Sequence, residues 1–493
     1  MKPIEQYQAD WSSLSRHPLA SWFSRAKFGI YTHWGPYAVP AYGRNGTWYP
    51  NKMYIPGTPE HVHHTRTYGD PRSFGYKDFI PLFKGEKFDA DEWAELFAKA
   101  GAKFAGPVAE HHDGFAMWDS RVTEWNAARM GPRRDVVGAL ERAVRAQGLK
   151  FLTTFHHAYN WWFFNAGKAT GDCARPEFRQ LYAQPHGDDE WPDDAFLDRW
   201  RDKLYEVIAK YRPDMIWFDF CLGRIRERYR REFLAHYYNR ALAWQREVVV
   251  TYKQMPKGNY HLPPLSAVMD LEVGKMNELT PYPWLTDTSV DASPDGAWSH
   301  VRDVGFKSVE RLVHNLVDLV SKNGHLLLNV GPRADGTIPE GARETLLGLG
   351  KWLSRNGEAI YDTVPWFVAG EGPTKAEGGG HFNETNEARF TAHDIRFTSR
   401  KNTLYAICLG RPGEEVRMAT FKDGHFLYPG DIASITMLGT KQGLKWRLDD
   451  TGLVVETPRR MPCDHAYAFK ITLREGSAGR NRTAGPRRAP QGD

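Results

Sequence analysis

Cysteine is scarce: the 493 residues hold only Cys173, Cys221, Cys408 and Cys463. They lie far apart, with no CxxC pair, which excludes a disulfide framework and a finger-type zinc site and leaves four free thiols. No apolar run approaches the ~18 residues that a membrane helix needs, so no membrane partner is expected. The opening stretch, MKPIEQYQADWSSLSRHPLASWF, carries Glu5 and Asp10 and lacks the apolar centre of a secretory leader. From these features the expected location is cytoplasmic. No GxGxxG or GxxxxGK loop follows any candidate strand, which argues against a nucleotide-binding open sheet. Excess charge is lacking too: 65 Lys and Arg stand against 60 Asp and Glu, for a net +5. The two signs are interspersed, so no nucleic-acid partner is implied.

What the chain has in plenty is aromatic rings, 13% of residues with 18 Trp among them. Flat apolar faces with polar edges suit the packing of sugar rings, although large hydrolase cores use them as well. At this length two domains are expected.

Along the first 361 residues, short apolar strands alternate with helical patterns. Candidate strands are Lys27–Gly35, Lys103–Glu110, Leu149–Phe155, Tyr211–Phe220, Glu247–Lys253, Ser266–Glu272, Thr286–Ser289 and Gly324–Val330. Helices are expected at Ala90–Ala100, Asp135–Ala146, Asp194–Lys210, Arg224–Gln245, Ser308–Ser321 and Glu340–Asn356. Eight strands with helices between most of them predict an α/β fold, a (β/α)8-like TIM barrel spanning residues 1–361. From Asp362 the pattern changes to short alternating segments between Gly, Asp, Asn and Pro turns. This predicts an antiparallel β-sandwich over 362–475, followed by a disordered tail at 476–493.

Barrel chemistry sits at the carboxyl ends of the strands. That rim collects His33, His111, His112, Asp113, His156, His157, Asp219 and Glu272, with Trp161 and Trp298 from adjoining loops. Any one of these has an ordinary structural explanation, such as an Asp capping a loop. It is their convergence that favours a site. Two carboxylates among imidazoles and indoles are the inventory of a glycoside hydrolase, in which one acid attacks the anomeric carbon and the other protonates the leaving oxygen. Two alternatives stay open. One is a sugar-binding pseudo-enzyme on the same fold; the other is a metal-dependent hydrolase, which the adjacent pairs His111-His112 and His156-His157 serve poorly because neighbours on a strand point to opposite faces. His61, His63 and His64 are expected in a solvated loop.

With these residues in view, the chain resembles the α-L-fucosidases of glycoside hydrolase family 29. The resemblance is carried by KFGIYTHWGPYAVPAYG (Lys27–Gly43), TWYPNKMY (Thr47–Tyr54), EHHDGFAMWDS (Glu110–Ser120), RPDMIWFDF (Arg212–Phe220), PYPWLTDTSV (Pro281–Val290), GHLLLNVGPRADGTIP (Gly324–Pro339) and WLSRNGEAIY (Trp352–Tyr361). It implies a retaining exo-hydrolase that removes terminal α-L-fucose from an oligosaccharide or glycoconjugate through a covalent intermediate, with no metal and no cofactor. Asp219 matches the family nucleophile, while His33, His111, His112 and Trp48 match sugar-binding positions. His157, Trp161 and Trp298 join them as expected substrate contacts. For the acid/base the expectation is Glu272, with Glu278 in reserve and Asp270 third. The chain departs from the family pattern at Thr47, where many members carry Glu, and at Glu110, Phe220 and the segment FHHAYNWW.

Overall fold

The computed structural model describes residues 6–475 apart from 255–260, 295, 375–378, 385–388 and 425. The expected tail at 476–493 lies outside the described residues, as does part of the segment Ala388–Phe397.

Eight parallel strands close into a barrel in sequence order: β1 (Phe28–Thr32), β2 (Phe104–Glu110), β3 (Lys150–Phe155), β4 (Met215–Phe218), β5 (Val249–Lys253), β6 (Val268–Glu272), β7 (Trp284–Ser289) and β8 (Gly324–Val330), with β8 pairing back to β1. Almost every strand residue is buried, because helices cover one face and the barrel interior the other. The interior holds Tyr31, Phe104, Val108, Leu152, Met215, Trp217, Val249, Val268, Leu285 and Leu327, and Trp22 and Phe23 join this cluster from the N-terminal segment. Gly29 is a spatial necessity: a Cβ there would lie 2.2 Å from the Phe104 ring.

Six long helices pack outside: α1 (Ala90–Lys99), α2 (Val136–Ala146), α3 (Asp194–Tyr211), α4 (Glu227–Trp244), α5 (Val309–Ser321) and α6 (Glu340–Asn356). Their starts follow capping chemistry. The carboxylates of Asp89, Asp135 and Asp193 and the hydroxyl of Ser308 accept first-turn N–H groups. Among the described residues no helix joins β5 to β6 or β6 to β7, so the barrel is (β/α)8-like.

The stretch between β1 and α1, expected to be a long loop, contains helix Pro59–Thr67, and it is not uniformly solvated. His64 is fully buried, within 3.2 Å of the Tyr49 hydroxyl and 2.8 Å of the Phe74 carbonyl oxygen, and His63 stacks on Tyr42. Both belong to an aromatic cluster, on a helix whose start is capped by the Thr58 hydroxyl accepting from His61 N, with Pro59 in its first turn.

Beyond the barrel, antiparallel strands form two sheets. One orders β13 (Ile432–Met437), β16 (Tyr467–Leu473), β11 (Thr403–Cys408), β10 (Ile395–Arg400) and β9 (Val364–Glu371); the other orders β12 (Glu415–Met418), β15 (Gly452–Glu456) and β14 (Trp446–Asp449). This unit is fastened to α5 and α6. Asp318 of α5 accepts from Arg396 of β10 at 2.6 Å, and the Trp352 indole donates to the Ala466 carbonyl at 2.9 Å.

Candidate active site

Side chains alternate along a strand, and in each barrel strand one parity points inward. In β4 the inward residues Met215 and Trp217 predict that Asp219 continues the inward row at the strand's carboxyl end. It does: the carboxyl is 7% exposed, at the floor of a pocket lined by Tyr31, His33, Thr47, Trp48, His111, His112, His156, Lys253, Glu272, Asp287 and Trp298. Inward Val249 sets the same parity for Lys253 in β5, inward Val268 for Asp270 and Glu272 in β6, and inward Leu285 for Asp287 in β7.

Lys253 is the electrostatic hub. Its ammonium stands 3.0 Å from Asp219 Oδ1, 2.8 Å from Glu272 Oε2 and 3.4 Å from Asp287 Oδ2, with the side chain 3% exposed. Asp219 and Glu272 touch the same atom. Their nearest oxygens are therefore separated by no more than the sum of those two contacts, under about 6 Å, which is compatible with the ~5–5.5 Å carboxyl separation of a retaining pair.

The two acids are pushed in opposite directions. Burial raises the Asp219 pKa, but the Lys253 charge, with the His156 and His112 rings against the carboxylate, outweighs it and holds the group well below the usual carboxylate range. Burial raises Glu272, the neighbouring Asp287 and Asp219 add to this, and Lys253 only partly compensates, leaving it at about 8. Asp270, fully buried, is pushed well above its ordinary value by burial and by Asp287. The site thus holds an ionised acid beside a protonated one, the division of labour that acid/base chemistry at neutral pH requires.

Imidazoles form the opposite wall. His112 Nε2 is 3.2 Å from Asp219 Oδ2, and His156 Nδ1 approaches the same oxygen at 3.1 Å without a well-aligned hydrogen bond. His112 Nδ1 rests 2.7 Å from the His156 carbonyl oxygen. Asn329 Oδ1, 2.8 Å from His33 Nδ1, orients that ring, while the Asn329 amide donates to the Trp298 carbonyl at 2.6 Å. His111 Nδ1 and His156 Nε2 are buried without any protein partner, so they are polar atoms available to ligand hydroxyls. Trp48 stands 5.9 Å from the His112 ring and Trp298 5.5 Å from that of His33.

His33, Trp48, His111, His112, Asp219, Glu272 and Trp298 therefore converge as expected. His157 and Trp161 do not. His157 has the outward parity of β3, stacks on Trp200 of α3 and lies 3.3 Å from the Trp200 carbonyl oxygen. Trp161 stacks on His186 and donates to the Glu190 carbonyl, packing a loop instead of the pocket. The reserve acid Glu278 is exposed and outside the pocket lining. Asp113 accepts from the Tyr76 hydroxyl at 2.6 Å and supports the loop from behind. Lys253, Asp287 and Tyr31 were missed as site residues, and His156 was reduced to one of an adjacent pair; inward parity was the signal for all four.

Two groups of three residues, His33 with His111 and His156, and His112 with His156 and Asp219, bring potential ligand atoms within 4.8 Å of one another. Both use His156. A divalent ion bound to Asp219 would also face the Lys253 ammonium already on that carboxylate, a like-charge neighbour that disfavours it.

Residues 2–358 match the family model described as Alpha-L-fucosidase, and residues 388–472 match that of the Alpha-L-fucosidase C-terminal domain. Tissue alpha-L-fucosidase of Homo sapiens is 31% identical over 483 residues, covering 96% of this chain and 93% of the relative. Plasma alpha-L-fucosidase of Pongo abelii is 31% identical over 484 residues, covering 95% and 93%. The solved structure of Thermotoga maritima alpha-fucosidase in complex with fucose is similar at a TM-score of 0.74 and 30% identity, covering 95% of this chain and 100% of that one. These names correct the cytoplasmic expectation: relatives along nearly the whole chain are tissue and plasma enzymes, and plasma lies outside the cytoplasm.

Proposed function

The chain belongs to the α-L-fucosidase family, glycoside hydrolase family 29, and from that premise we propose that Asp219 is its nucleophile and Glu272 its acid/base. The reaction is retaining hydrolysis of terminal α-L-fucosyl linkages, and the substrates are fucosylated glycans. Neither a pseudo-enzyme nor a metal hydrolase is favoured. We further assign catalysis to residues 1–361 and a supporting role to 362–475.

The observation that carries the assignment is the shared contact of Asp219 and Glu272 with Lys253, which places the two acids side by side with opposite pKa shifts. In the first step Asp219 attacks the anomeric carbon as the glycosidic C–O bond breaks, and Glu272 delivers its proton to the departing oxygen. In the second, Glu272, now ionised, takes a proton from water, whose oxygen displaces Asp219 and releases fucose. Lys253 keeps Asp219 ionised before attack, and the carboxylate-to-ester change then frees it toward Glu272. His33, His111, His112 and Trp48 hold the sugar, with His156 added to them, and Thr47 occupies the pocket position where many family members carry Glu.

Replacing Asp219 by Gly tests the reading. Turnover of an aryl α-L-fucoside should fall at least about 10³-fold with the circular-dichroism spectrum retained, although loss of one member of the buried charge cluster lowers the melting temperature. Near-native turnover by the folded variant would reject the assignment.

A further inference from the structure

Between β9 and β10 the C-terminal unit sends residues 379–384 back across the mouth of the barrel, where they pair with the end of β6. Gly380 forms an antiparallel bridge with Lys275, Phe382 N donates to the Glu272 carbonyl at 2.8 Å, and Glu384 N donates to that of Val273 at 2.9 Å. The segment is pinned from the far side by Glu384, whose carboxylate meets Lys307 at 2.7 Å.

Two of its side chains are unusual. His381 Nδ1 accepts the Glu272 N–H at 2.9 Å, and its Nε2 faces the Gln254 carbonyl, so a neutral Nε2–H ring ties the ends of β5 and β6 together at the proposed acid/base. Phe382 is 47% exposed although large and apolar, and it is held at φ +58°, a left-handed conformation that bulky residues avoid. An aromatic row leads outward from the catalytic hub to this ring: Lys253 Nζ lies 5.0 Å from the Phe220 ring centre, Phe220 5.3 Å from that of His381, and His381 6.1 Å from that of Phe382.

We propose that residues 379–384 complete the active site from the second domain as its leaving-group subsite, with Phe220 and Phe382 forming a ledge for the pyranose ring that carries the fucose and His381 positioning Glu272. This rests on the fucosidase reading and specifies its acceptor side. A general acid stands on the leaving-group side of the scissile bond, and an exposed, strained aromatic beside it offers a flat apolar face to the next sugar. The segment also explains why a barrel enzyme carries its sandwich: part of the barrel's own rim comes from there.

The test compares three substrates on the full chain: α-L-fucosyl fluoride, which has no acceptor ring, an aryl α-L-fucoside, and a fucosylated disaccharide. In Phe382→Ala, kcat/KM for the disaccharide should fall about tenfold while that for the fluoride changes by less than about twofold; Phe382→Tyr should keep the disaccharide rate. His381→Ala should lower kcat for the disaccharide more than for the fluoride and shift the alkaline limb of the pH profile, a change that mere loosening of the fold would not produce. An unchanged disaccharide rate in Phe382→Ala, or parallel loss on all three substrates, would overturn the subsite. Failure of the wild type to cleave even the fluoride would instead reject the hydrolase reading beneath it.

Discussion

Replacing Lys253 by Met keeps the buried stem and deletes one charge, and the structure sets the direction and size of the result. The ammonium is the nearest cation to Asp219 Oδ1, Glu272 Oε2 and Asp287 Oδ2, at 3.0, 2.8 and 3.4 Å. Removing one member of a buried charge cluster costs about 3–5 kcal/mol. Shared among three carboxylates, this is roughly 1 kcal/mol or somewhat more for each, close to one pKa unit. Asp219 must be ionised to attack, and its depressed pKa places the acid limb of kcat/KM at low pH. Without Lys253 that pKa rises, so activity is lost at a higher pH on acidification. Glu272 must be protonated, which places the native alkaline limb near about 8. It too loses a lowering influence, so this limb also moves up. The whole bell-shaped profile, measured with an aryl α-L-fucoside, should therefore shift alkaline by about one unit. The melting temperature gives a second readout. The variant fold binds protons more tightly at these carboxylates than the wild-type fold does, so the stability lost with Lys253 is smallest at low pH and grows as pH rises. An acid limb that stays in place or moves to lower pH would refute the role given to Lys253.

Glu272→Gln removes the proton donor, so hydrolysis of fucosylated oligosaccharides should fall about 10²–10⁴-fold while an aryl fucoside with an acidic phenol leaving group suffers much less; equal losses across leaving groups, measured as kcat/KM, would point to another acid. At the domain junction, Asp318→Asn leaves Lys322 and Arg396, at 2.7 and 2.6 Å, without their shared carboxylate and should cost about 3–5 kcal/mol, read as a lower first melting transition. Because the Asp318 pKa is lowered, by Lys322 and Arg396 against the upward push of burial, its contribution is present above the unfolded carboxylate value and fades as pH falls through the folded one. The gap between Asp318→Asn and wild type should therefore narrow on acidification.

The barrel was readable because its strands are apolar runs bounded by capped helices. Asp89, Asp135 and Ser308 cap where capping rules place them, and α6 spans the expected Glu340–Asn356. The lack of a helical pattern between the fifth and seventh strands was legible too: none was expected there, and none lies among the described residues of those two connections. Within the site, position at a strand end was an incomplete guide. His156 and His157 are adjacent and chemically identical, yet Leu152 fixes the inward parity of β3, which turns His156 to the pocket and His157 to Trp200. Lys253 escaped notice because one lysine at the end of an apolar strand looks like a solvated terminus; it becomes a buried hub only when three neighbouring strands bring acids to it. The His381 clamp was not legible at all. It joins residues 109 positions apart in sequence, and no local pattern records such a pairing.

In the proposed reaction Asp219 becomes covalently bonded to fucose during turnover. The most direct measurement is incubation with 2-deoxy-2-fluoro-α-L-fucosyl fluoride, followed by proteolysis and mass-spectrometric mapping. The fluorine at C2 slows hydrolysis of the intermediate, and the fluoride leaves without acid help. One fluorofucosyl adduct per chain is expected, on the peptide containing Asp219 and absent from Asp219→Gly. An adduct on Glu272 or another acid, or turnover of this reagent with inverted product and no adduct, would contradict it.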